Sequence, residues 1–75
     1  MWIRSQDLYT LIKCERLSIR QSVSKKHCVI GDERIVLGEY STVDKALKVL
    51  DEIQNRTEYL YPKVFQMPQD WEVEV

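Results

Sequence analysis

The chain has 75 residues, among them 11 Lys and Arg, 12 Asp and Glu, one His and two Cys, for a formal net charge of −1. Its size holds one small domain; a make-up 44% hydrophobic and 31% charged excludes a disordered chain, two cysteines are too few for a disulfide scaffold, and the net charge disfavours a general duplex binder. No apolar run exceeds three residues, which excludes a membrane-spanning helix and a signal-peptide core and makes a cytoplasmic protein the expectation.

Trp2-Ile3-Arg4 reads as a short first strand. From Leu11 to Arg20 apolar residues alternate, but Ile12 and Cys14 share one parity while Leu17 and Ile19 share the other. Strand side chains repeat with period two, so this change predicts a bulge or a break, placed at Glu15-Arg16. Gln21-Ser22-Val23-Ser24-Lys25 is a polar turn. His27–Ile30 and Ile35–Tyr40 are β-branched runs flanking Gly31-Asp32-Glu33-Arg34, the pattern of a hairpin. In the second run Ile35 and Leu37 share one face, and Val36 and Tyr40 the other. That strand is expected to be central or to offer one face to a partner, with Gly38 admitting a bulge or a ring at close range.

Ser41-Thr42-Val43-Asp44 announces a helix, with Ser41 as the expected cap and Asp44 reaching back to it. Val43, Ala46, Leu47, Leu50, Ile53, Thr57 and Leu60 recur at helical spacing and form one stripe, with Val49 at its margin. Asp44–Lys48 and Glu52–Arg56 are acid-before-base pairs on the opposite side. Pro62 ends the helix, Lys63–Met67 is the predicted last strand, and Pro68 stops it. The tail Trp71-Glu72-Val73-Glu74-Val75 alternates apolar and acidic residues, so residues 69–75 are expected either frayed or docked as a strand on a sheet edge. The predicted architecture is a single α+β domain over residues 1–75. It consists of one small antiparallel sheet of four to five strands, in the order β-β-β-β-α-β, with one amphipathic helix on one face.

Chemistry-bearing residues are sparse. Cys14 and Cys28 are expected as small buried hydrophobes. His27 and Cys28 are adjacent on a strand and point to opposite faces, so they do not form a nucleophile–base pair. Asp32-Glu33 and Asp51-Glu52 read as solvated carboxylates. No Gly-rich phosphate loop and no CxxC or HxxxH spacing is present. The expectation is therefore a non-enzymatic protein with no cofactor and no metal.

Three surfaces are candidates for binding. If the first and last strands are neighbours, Arg4, Gln6 and Gln66, beside Met67, cluster and can hold a small anionic or amide-bearing ligand. Residues 1–31 carry a local charge of +4, against −3 for residues 32–58 and −2 for residues 59–75. The basic excess comprises Lys13, Arg16, Arg20, Lys25 and Lys26, which can attract an anionic partner or serve a nucleic-acid-binding accessory role. No aromatic residue separates those charges, which weighs against a single-strand platform. Finally, Tyr40, Trp71, Val73 and Val75 are more apolar surface than one helix covers. They point to burial between copies, as a homodimer, or against a host protein.

The segments Met1-Trp2-Ile3-Arg4-Ser5-Gln6-Asp7, Leu37-Gly38-Glu39-Tyr40-Ser41-Thr42, Ala46-Leu47-Lys48-Val49-Leu50-Asp51-Glu52-Ile53-Gln54 and Phe65-Gln66-Met67-Pro68 resemble a family of small uncharacterised proteins. These occur in Gram-positive bacteria, their phages and integrated mobile elements. The resemblance spans nearly the whole chain and is weakest from Lys13 to Lys26. It implies a cytosolic single domain in a mobile-element setting, and no reaction.

Overall fold

The computed structural model describes residues 2–57 and 64–75. The elements, in chain order, are β1 (Trp2–Arg4), β2 (Leu11–Lys13), β3 (Leu17–Gln21), β4 (His27–Gly31), β5 (Ile35–Tyr40), α1 (Val43–Thr57), β6 (Val64–Gln66) and a 3-10 turn (Asp70–Glu72). The class is α+β. In place of the single sheet expected from sequence there are two three-stranded sheets, ordered β2-β1-β6 and β3-β4-β5.

The parity change after Cys14 is the physical origin of that division. β2 ends at Lys13 and β3 begins at Leu17, so the chain leaves one sheet and enters the other at the expected break. β3, β4 and β5 form an antiparallel meander. Its β4–β5 turn runs through Asp32 and Glu33, both at positive φ (49° and 66°), the left-handed geometry that suits a tight hairpin. In the other sheet β1 pairs antiparallel with β2 but parallel with β6 (Trp2↔Val64, Ile3↔Phe65, Arg4↔Gln66), a correction to the all-antiparallel expectation.

A register shift between Val29 and Ile30 sets Leu37 as the extra residue of β5. The bulge turns both Leu37 and Tyr40 toward the core and leaves Val36 half-exposed. Gly38 has the expected close ring: a Cβ there would stand 3.0 Å from Tyr40 Oη and 3.1 Å from Tyr40 Cε2.

Helix α1 starts one residue later than expected. Thr42 Oγ1 accepts from the Lys45 amide at 3.2 Å and acts as the cap, while Ser41 binds Asp70 through both its amide and its hydroxyl. The buried stripe is Ala46, Val49 and Ile53, with Leu50 partly covered. Val49 is therefore central and not marginal, and Val43 and Leu47 are half-exposed. The expected contributions of Leu60 and Pro62, and the Lys63 start of the last strand, lie outside the described residues.

One core serves both sheets. Ile3 and Phe65 from the first, Val29, Leu37 and Tyr40 from the second, the α1 stripe, and Met67 and Val73 from the C-terminal segment form a single cluster. Each such side chain fully buried contributes about 1.5–3 kcal/mol. The tail is neither frayed nor a strand: it makes the 3-10 turn and inserts Val73 into the core.

Candidate functional site

The first and last strands are neighbours, and the register sets Arg4 beside Gln66. The amides of this cluster nevertheless bind the protein itself. Gln6 Nε2 donates to the Glu39 carbonyl and the Pro68 carbonyl, both at 3.1 Å, while its Oε1 accepts from the Glu39 amide at 2.9 Å. One side chain thus imitates a strand residue on the open edge of β5. The Gln6 main chain continues the pairing, its amide donating to Leu37 O at 2.7 Å and its carbonyl accepting from Gln69 Nε2 at 2.7 Å. Gln66 Nε2 donates to Ser5 O and Met67 O, and Tyr40 Oη donates to Pro68 O at 2.8 Å.

The expected ligand cluster is therefore the joint between the two sheets. Met67, at 1% exposure, is core, and Arg4 Nε donates to Leu8 O at 3.2 Å. Three stretches far apart in sequence, around Ser5-Gln6, Gly38-Glu39-Tyr40 and Gln66-Met67-Pro68, meet at this joint. Ser5 and Asp7 build the adjoining turn: Ser5 Oγ donates to Asp7 Oδ1 at 2.5 Å, and Asp7 Oδ1 accepts from the Tyr9 amide. These bonds, the Ser5 one first, hold the Asp7 carboxyl below its ordinary pKa. A cleft of about 170 Å³ beside the joint is lined by Gln6, Asp7, Val36, Leu37, Gly38 and Glu39.

The basic residues do not form one patch. Lys13 lies on β2, Arg20 on β3, and Lys25 and Lys26 on the turn between β3 and β4. Arg16 pairs with Glu33 at the opposite end of the β3–β4 ladder. There Asp32 Oδ1 accepts from the amides of Arg16 and Glu15, at 3.0 and 3.1 Å, which lowers the Asp32 pKa. Glu15, Arg16, Asp32 and Glu33 line an open cleft of about 400 Å³.

The expected interface set also divides. Tyr40, at 0% exposure, and Val73, at 6%, belong to the core, because the bulge and the 3-10 turn point them inward. Trp71 and Val75 remain exposed. Both cysteines are buried and free, and burial pushes both thiols up from their ordinary pKa. Such thiols are poor nucleophiles. Among the described residues no group of three His, Cys, Asp or Glu stands close enough to hold a metal ion.

Pairing also creates a surface that the linear sequence conceals. The outer face of β2-β1-β6 has two cross-strand rows, Lys13–Trp2–Val64 and Leu11–Arg4–Gln66. Trp2 is 45% exposed, and Leu11 and Val64 are similarly open. Neither Arg4 nor Lys13 joins an ion pair among the described residues, where the pairs are Arg16–Glu33 and Lys45–Asp70. The signal for this face was Trp2 itself, but its cationic neighbour comes from β2 and was legible only with the register. No family model, curated protein or solved structure matches the chain. Among the described residues, no helix is long and apolar enough to cross a membrane.

Proposed function

We propose that the protein is a small, non-enzymatic, self-associating interaction protein of the cytoplasm. The setting is the one its resemblance implies, a phage or mobile element of a Gram-positive host. The observation that supports this reading is the apolar surface left after the core closes. Trp2, Leu11 and Val64 lie together on one sheet face, Val43 and Leu47 on the helix, and Trp71 and Val75 on the tail. A 75-residue domain gains little stability from its own core, and covering such surface with a second copy adds to it. Sedimentation at tens of micromolar is expected to give a species heavier than the 9.0 kDa chain; a lone monomer throughout overturns self-association.

A second reading, nucleic-acid binding, is favoured by the Lys13–Trp2 row with Arg4 one pleat away, an aromatic flanked by cations. Retention of a single-stranded oligonucleotide on a filter, falling with salt and lost in Trp2→Ala, supports it. Absence of retention at low salt ends it. Sequestration of a small ligand finds no support in the Gln6 and Gln66 amides, whose donors are engaged by the protein's own carbonyls.

A further inference from the structure

Self-association has a specific seat, and this inference rests on that part of the proposed function. β3 lies at the far edge of its sheet, and among the described residues no strand pairs with its outer side. The opposite edge strand, β5, is clasped by Gln6. The bonds from Asp32 N to Arg16 O and from Ser22 N to Lys26 O, both 2.8 Å, fix the parity of the ladder. Even-numbered residues bond toward β4, so the amides and carbonyls of Leu17, Ile19 and Gln21 point outward. An open edge of this kind is a template for another strand, and β3 (Leu-Ser-Ile-Arg-Gln) has no proline or lysine to blunt it.

The helix gives the same edge an apolar shelf. One flank of α1 faces the C-terminal segment, since Lys45 Nζ donates to Asp70 O at 3.0 Å and Arg56 lies 5.6 Å over the Phe65 ring. The other flank, turned away from the C-terminal segment, carries Val43, Leu47 and Leu50, and α1 also packs on β3. There Leu17, Ile19 and Leu50 are only partly buried, and Val43 and Leu47 are half-exposed. Charge is self-complementary along the strand. The turn after β3 carries Lys25, Lys26 and the fully exposed Val23, whereas the 400 Å³ cleft at the other end sets three carboxylates, Glu15, Asp32 and Glu33, against one cation, Arg16, which pairs with Glu33.

We infer that a second copy of this chain docks edge to edge along β3, antiparallel about a two-fold axis at Ile19. In that register Ile19 faces Ile19 of the second copy, Leu17 faces its Gln21, and the three-stranded sheet doubles. The Lys25-Lys26 turn of each copy reaches the acidic cleft of the other, and the two α1 helices present Leu47 across the axis. The outer face of β2-β1-β6 is the poorer candidate, because an isologous contact there brings Arg4 and Lys13 of both copies, which join no ion pair among the described residues, into one interface.

The test is sedimentation equilibrium with amide hydrogen exchange. The wild type is expected at twice the 9.0 kDa chain mass, with the Ile19 amide protected although no backbone bond among the described residues holds it. Leu47→Lys, placed between Asp44 and Asp51 where the helix accepts it, is expected to weaken the dimer about tenfold or more. Lys26→Glu weakens it as well, and Glu15→Lys in the same chain restores it. Trp2→Ala leaves it intact, and circular dichroism checks that each variant folds. A wild-type monomer overturns self-association altogether. A dimer that ignores Leu47→Lys and Lys26→Glu, or that leaves the Ile19 amide unprotected, overturns the β3 seat and keeps self-association.

Discussion

The two sheets are built by opposite strategies. β3-β4-β5 is a meander in which each strand pairs with its neighbour in sequence, through tight turns. β2-β1-β6 unites the two ends of the chain, and its parallel β1–β6 pair closes only after the whole meander and the helix have been traversed. Loop-closure entropy is small for the first and large for the second, so although one core serves both, the first is expected to hold more stability of its own and the second to depend on the joint. Local pairing is written into turns; end-to-end pairing needs particular side chains to hold it.

Four measurements can break or sharpen that contrast. The largest effect is expected from Phe65→Ala, which empties the core face of β6 and costs about 3–5 kcal/mol in urea unfolding, most of the stability of so small a domain. Equal loss from a solvent-facing substitution such as Val64→Ala would contradict the assignment. Gln6→Ala removes the bonds to Glu39 and Pro68 and is expected to cost about 1–3 kcal/mol. In native-state exchange it should release the Glu39 and Met67 amides while Val29 stays protected. Uniform deprotection would mean that the sheets have no independent stability.

Gly38→Ala drives a methyl against the Tyr40 ring and within 3.3 Å of Met67 Cε, an overpacking expected to cost about 1–3 kcal/mol at the low end of that range if the ring yields. An unchanged midpoint would show that the contact is slack. The smallest effect is acid sensitivity. Asp7, Asp32 and Asp70 have folded pKa values below the ordinary 3.8, Asp32 and Asp70 chiefly through backbone amides and Asp7 chiefly through Ser5 Oγ. Their stabilisation is complete above the unfolded value and is lost as pH falls through the folded ones, so the melting temperature should decline only below about pH 4. A decline beginning near pH 6 would point to another group.

Legibility followed the same division. The hairpin around Asp32, the helix and the burial of both cysteines could be read from sequence, since each depends on periodicity or turn chemistry within a few residues. The parity change at Glu15-Arg16 located a break but not its meaning, a passage between sheets. Tyr40 read as an interface residue because regular alternation put it on the face of Val36. One extra residue at Leu37 reversed that, and a bulge of this kind leaves no period of its own. Gln6 and Gln66 read as ligand groups because an amide side chain looks the same whether its partner is a solute or a distant carbonyl.

Sequence by itself determined the class of this protein, its helix, its meander and the residue types available for burial, because those rest on short-range preference and on hydrophobic spacing. Only the tertiary structure decided that the chain ends meet in parallel, that Gln6 locks one sheet to the other, and that Trp2 lies between Lys13 and Val64. These depend on pairs far apart along the chain, whose partners are selected by the free energy of closing the whole core and not by any local signal.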